Sequence, residues 1–146
     1  MTSVIPSEEF LLGVEQFNQQ EFYACHDTLE ALWMEALEPQ KRFYQGILQI
    51  AVACYHLGNL NWRGAVVLLG EGSARLRDYQ PIYEGIDVTE LLTQSFDLLQ
   101  ALQQAGPEQV ADFVEQLKAA QTNSMSDVNG SWVARLPKIL RVESKI

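Results

Sequence analysis

Apolar residues return every three or four positions along most of the chain, the spacing that gathers them on one face of an α-helix. Phe10, Val14 and Phe17 form the first such stripe, opened by the hydroxyl of Ser7 as a cap and by Glu8 and Glu9 at the positive end of the helix dipole. Asn18-Gln19-Gln20 reads as a short turn, after which Phe22, His26, Leu29 and Trp33 mark a second helix expected to end near Pro39. From about Gln40 to Leu57 the chain is apolar nearly all the way round, which predicts a helix packed on several sides at the centre of the fold. Gly58-Asn59 is the expected stop, since both residues tolerate the left-handed conformation. A fourth helix should run from Asn61 to Leu76, with Gly64, Gly70 and Gly72 lowering its intrinsic stability while permitting close helix approach.

Tyr79 to Gly85 reads as a loop, and Asp87 with Glu90 has the form of a capping box that starts a fifth helix. Leu91, Leu92, Phe96, Leu99 and Leu102 give that helix its apolar face. Gly106-Pro107 closes it and opens a sixth, with Val110, Phe113, Val114 and Leu117 on one side. No segment alternates as a strand does. The fold class is therefore all-α, a compact helical bundle of about five to six helices with a central apolar helix.

Residues 1–120 read as a single helical domain, because 146 residues support one sizeable core and hardly a second. Residues 121–146 read as a flexible or docked tail. They begin turn-rich and then set Trp132, Val133, Leu136, Ile139, Leu140 and Val142 among Arg135, Lys138 and Arg141. Pro137 opposes a long helix there. The net charge of -9 at pH 7 is unevenly held, with six basic and seventeen acidic side chains before residue 121, and four basic and two acidic after it. Docking of the basic-apolar tail on its own acidic body is the first expectation, and docking on a partner the second.

An acidic body repels phosphate backbones and anionic lipid headgroups, which argues against nucleic acid and membrane partners. No apolar run approaches the roughly 18 residues of a membrane-spanning helix, and the N-terminus lacks the basic and apolar stretches of a secretory signal, so cytoplasmic residence is expected. Cys25 and Cys54 show no paired metal-ligand spacing and read as buried, reduced thiols. A homodimer is the common oligomer for a small apolar-rich domain of this kind.

The chemistry available to the chain is concentrated on two neighbouring helices. His26, Leu29 and Trp33 share a stripe with Glu30 at its edge, while Gln45, Gln49 and His56 share another on the central helix. If the two helices form an antiparallel hairpin, these polar groups are expected to face one another in an apolar setting. Three uses follow: a self-satisfied buried network, a pocket for a small ligand with Trp33 as a flat wall, or a divalent-metal site built on His26, Glu30 and His56. The metal reading, which would support a hydrolase, is short of ligands because Asp27 is expected to point about 100° away from His26. No cofactor is implied, and no nucleophile elbow, phosphate-cradling loop or His-Glu-x-x-His motif is present.

These same residues resemble the family catalogued as domain of unknown function 309, in which Phe-Asn precedes His-x-x-x-Glu-x-x-Trp, a Pro, Gln-Gly-x-x-Gln-x-Ala, a His and Gly-Asn. The matching positions are Phe17-Asn18, His26, Glu30, Trp33, Pro39, Gln45-Gly46, Gln49, Ala51, His56 and Gly58-Asn59. The resemblance spans about Phe10 to Leu69 and implies an all-helical bundle without supplying a reaction. Gln20 stands where the family tends to have Gly, which strains the turn if it requires positive φ, and Asp27 stands where Glu is expected. The helix pairs also carry a faint likeness to tetratricopeptide repeats, which makes a protein-interaction module the alternative class, although no 34-residue period continues into the second half.

Overall fold

The computed structural model describes residues 6–122 and 135–142. Six α-helices follow in order: α1 Glu8–Asn18, α2 Phe22–Glu35, α3 Gln40–Gly58, α4 Trp62–Leu76, α5 Val88–Ala105 and α6 Val110–Thr122. Each of α2 to α5 packs against its predecessor, and α6 returns to α5 and α3, so α3 has neighbours on several sides. It contributes Phe43, Tyr44, Ile47, Ile50, Ala51, Ala53, Cys54 and Leu57 to the core. Burial of each large aliphatic or aromatic side chain stabilises the bundle by about 1.5–3 kcal/mol, so this helix anchors the fold. Among the described residues no helix is long and apolar enough to cross a membrane.

The caps act largely as their residue types require. Ser7 Oγ accepts from the Phe10 amide at 3.1 Å, Asn61 Oδ1 from the Gly64 amide at 2.9 Å, and Asp87 Oδ1 from the Glu90 amide at 2.9 Å. The turn after α1 places Gln20 at φ 65°, the left-handed strain that an amide side chain in that turn implies. At the end of α3 the left-handed residue is Leu60, φ 61°, rather than Gly58 or Asn59.

The 79–85 stretch, expected to be a loop, is more regular than that. A 3-10 turn at Arg77–Tyr79 leads into a small antiparallel hairpin, β1 Ile82–Tyr83 and β2 Ile86–Asp87, with Ile82 opposite Asp87. Its two-residue turn has Glu84 at φ 47° and Gly85 at φ 75°, the paired positive values of a tight hairpin whose twist matches its strands. Two-residue strands are too short to show as an alternating pattern in the sequence.

Residues 135–142 lie extended against the body, and Trp132 and Val133 fall outside the described residues. The Asp87 amide donates to the Leu140 carbonyl and the Val142 amide to the Gly85 carbonyl, both at 2.8 Å, so the segment runs alongside the hairpin. The carboxylate of Glu90 does not return to the Asp87 amide, as a full capping box would have it, because the C-terminal segment takes that donor. Asn18, at the last turn of α1, clamps the other edge: its Nδ2 donates to the Ile139 carbonyl at 2.9 Å and its Oδ1 accepts from the Ile139 amide at 2.8 Å. Lys138 donates through Nζ to the Asn18 carbonyl at 3.0 Å, a cation on the electronegative end of α1. Ile139 is 2 % exposed, so the segment is fixed by a buried anchor as well as by backbone bonds.

Candidate functional site

Helix α2 turns Cys25 and Leu29 into the core and leaves His26 and Trp33 half-buried on the flank toward α3. His26 Nε2 lies 3.1 Å from Glu30 Oε2, one helical turn on, and its Nδ1 lies 3.2 Å from Asp27 Oδ1. Asp27 thus does reach His26, which the helical angle between the two positions had argued against; adjacent side chains span it by bending toward each other. A neutral imidazole has one N–H and serves one of these carboxylates at a time, whereas the protonated ring serves both. Trp33 lies under Lys41, whose Nζ is 4.7 Å from the ring centroid, and its indole N–H is buried without a hydrogen-bond partner among the described residues.

On α3, Gln49 and His56 turn toward α4 and its entry. Gln49 Nε2 donates to Glu71 Oε1 at 3.1 Å and Gln49 Oε1 accepts from Arg75 at 3.0 Å, both on α4. His56 Nδ1 is 3.4 Å from Asn61 Nδ2 at the entry to α4. Gln45 is half-buried one turn before Gln49. Among the described residues no hydrogen bond or ion pair joins His26, Glu30 or Trp33 to Gln45, Gln49 or His56, so the six form no joined polar network. The physical reason is a close α3–α4 crossing: a Cβ on Gly72 would stand 2.7 Å from the Gly46 carbonyl oxygen, and one on Gly64 2.9 Å from His56 Cδ2. Glycine lets the two helices meet there, and Gln49 beside the crossing finds its partners on α4.

What connects the two groups is aromatic. His26 and Tyr23 rings lie 6.2 Å apart, Tyr23 and Tyr55 5.6 Å, and Tyr55 and His56 6.2 Å, centroid to centroid, so a chain of four rings crosses the α2–α3 seam. Tyr23 is 62 % exposed, and beside it opens a cavity of about 490 Å³ whose walls include Phe22, Cys54, Tyr55, Leu117 and Leu136. Among the described residues no three His, Cys, Asp or Glu side chains come together as metal ligands.

Burial pushes the Cys25 and Cys54 thiols up to about 12, so neither is poised as a nucleophile. One buried carboxylate carries no signal in the sequence. Glu84, in the hairpin turn and 6 % exposed, accepts at Oε1 from Gln40 Nε2 at 2.7 Å and from the Tyr44 hydroxyl at 3.2 Å, while its Oε2 is buried without a partner among the described residues. Burial raises its pKa above the ordinary value, opposed by those two hydrogen bonds.

The fold and this face define an all-α bundle with a half-exposed polar and aromatic surface along α2 and α3. Residues 10–68 match the model of the family described as domain of unknown function, DUF309, so over α1, α2, α3 and the first half of α4 the chain matches that family. The uncharacterized protein YpuF of Bacillus subtilis (strain 168) is similar, at 37% identity over 57 residues, which are 38% of this chain and 33% of that protein. The matched part of the chain therefore spans about a third of that relative's length. All six candidate residues lie inside the family match; the hairpin, α5, α6 and the docked C-terminal segment lie beyond it.

Proposed function

We propose that this protein is an interaction module whose α2 face takes a basic, amphipathic helix of a partner protein. The observation that carries this reading is an exposed stripe on α2: Tyr23, Asp27, Glu30 and Met34 recur at heptad spacing and fall within an arc of about 60°. Tyr23 is 62 % and Met34 66 % exposed, and Leu37, just past the helix end, is 82 % exposed. Two apolar ends flanking two carboxylates fit a helix that presents an apolar residue, a Lys or Arg pair and another apolar residue. The surrounding charge suits the same partner, for residues 1–40 hold eight acidic side chains and no Lys or Arg. A small-ligand site built from His26, Glu30, Gln45, Gln49 and His56 has less support, because Gln49 and His56 bond toward α4 and its entry.

The test is a titration with a synthetic helix-forming peptide of Leu and Lys in heptads, against a control with Glu in place of Lys. The expected result is saturable binding of the basic peptide that weakens with salt, with amide shifts mapping to α2. The double change Tyr23→Ser and Met34→Ser leaves charge untouched and should weaken binding at least about tenfold, since each buried apolar side chain contributes about 1.5–3 kcal/mol. Equal binding of the two peptides, or full binding by the double variant, would sink the reading.

A further inference from the structure

Between α4 and α5 the structure holds a second cavity, of about 500 Å³, outside the family match and away from the α2 stripe. Ser73 lines it: it is 9 % exposed and, among the described residues, its hydroxyl has no hydrogen-bond partner. Arg77 and Asp97 also line the cavity, and among the described residues neither is in an ion pair, so opposite charges face one space without neutralising each other. The other polar groups at the rim are engaged. Thr89 Oγ1 donates to Gln80 Oε1 at 3.2 Å, Gln80 Nε2 donates to the Arg77 carbonyl at 3.1 Å, and Thr93 Oγ1 donates to the Thr89 carbonyl at 3.0 Å. Apolar wall is supplied by Leu92, Leu99 and Phe96, whose ring is 55 % exposed although it belongs to a helix packed on one side.

We infer that this cavity binds a free α-amino acid with a large apolar side chain. Its carboxylate meets the guanidinium of Arg77, which offers paired donors in a planar fork. Its ammonium meets Asp97, its side chain lies on Phe96 and Leu92, and the Ser73 hydroxyl gains the partner it lacks. The volume is in the range of small-molecule sites and suits a ligand of amino-acid size. A phosphorylated ligand is disfavoured by Asp97 and by the net charge of -9. A purely apolar ligand leaves three polar groups unserved, each at a cost.

The probe is L-phenylalanine, titrated into the full chain and followed at the Ser73, Thr93 and Phe96 amides, beside 3-phenylpropionate, which lacks the ammonium, and 2-phenylethylamine, which lacks the carboxylate. L-Phenylalanine should saturate these amides, and both analogues should bind at least about tenfold more weakly, as lost charge-assisted hydrogen bonds dictate. Arg77→Gln should bring L-phenylalanine down to the level of 2-phenylethylamine, and Asp97→Asn down to that of 3-phenylpropionate, with the melting temperature unchanged. Should either variant lose stability, the analogue comparison on the unaltered chain decides alone. No saturable shift with L-phenylalanine or L-leucine up to about 10 mM, the weak end of measurable affinity, overturns the inference. So does an analogue that binds as tightly as the amino acid.

Discussion

Asn18→Ala removes both hydrogen bonds that hold Ile139, donated and accepted at 2.9 and 2.8 Å. At a net worth of about 0.5–1.5 kcal/mol each, the clamp contributes about 1–3 kcal/mol to docking of the C-terminal segment. The segment is otherwise held by the buried Ile139 side chain and by the bonds of Lys138, Leu140 and Val142, few attachments for eight residues, so it should open without unfolding the bundle. The readout is hydrogen exchange at the amides of Asp87 and Val142, which bond across the dock without touching Asn18. Their exchange should quicken by about 5- to 150-fold in Asn18→Ala, the equivalent of 1–3 kcal/mol at 1.36 per factor of ten. In a chain ended at residue 134 the same substitution should cost nothing, and Ala at a helix end should even help by a few tenths of a kcal/mol. An equal loss of urea stability in the full and shortened chains would refute the argument, since Asn18 would then be acting only within its own turn.

Gln20→Gly relieves a left-handed residue, φ 65°, and should stabilise the protein by about 0.5–1 kcal/mol after the larger unfolded-state entropy of Gly is subtracted; calorimetry showing a lower melting temperature would contradict this. Glu84 binds its proton more tightly folded than unfolded, so its contribution to stability is present below the ordinary 4.5 and is lost as pH rises through the raised folded value. Glu84→Gln should therefore remove a fall in stability over that window, and denaturant curves of the two proteins that stay parallel from acid to neutral pH would exclude it. With both thiols pushed up to about 12 and buried, Cys25 and Cys54 should resist a disulfide reagent at pH 8 in the native protein and react at once in guanidinium. Rapid native labelling of Cys54 would mean that the cavity beside Tyr55 opens far wider than its walls indicate.

The helices were legible in the sequence because their ends carry local chemistry: Ser7, Asn61 and Asp87 cap as their side chains allow, and Gly106 and Pro107 stop one helix and start the next. The short hairpin was not, for two-residue strands leave no alternation, and its turn places Glu84 where Asn, Asp or Gly is the usual choice. The docked segment was half legible, since charge favoured the body as its seat while nothing marked Asn18 as the clamp. The orientation of α3 was the costly gap. A helix apolar on nearly every side gives no preferred face, so Gln45, Gln49 and His56 could have turned to either neighbour.

A signal for that choice was present in the glycines. Gly46 belongs to α3 and Gly72 to α4, and a Cβ on Gly46 would lie 2.8 Å from Leu76 side-chain carbon, one on Gly72 2.7 Å from the Gly46 carbonyl. Small residues on two consecutive helices mark where those helices cross closely, and the polar residues beside the crossing are then bound to the same neighbour. Gln49 is three residues past Gly46, and it bonds Glu71 and Arg75 on either side of Gly72. With Gln49 committed to α4, the carboxylates of Asp27 and Glu30 have, among the described residues, His26 as their ion-pair neighbour and remain at the surface. The exposed pair of carboxylates between Tyr23 and Met34, on which the proposed docking of a cationic, apolar helix rests, thus goes with the place where two glycines let α3 and α4 touch.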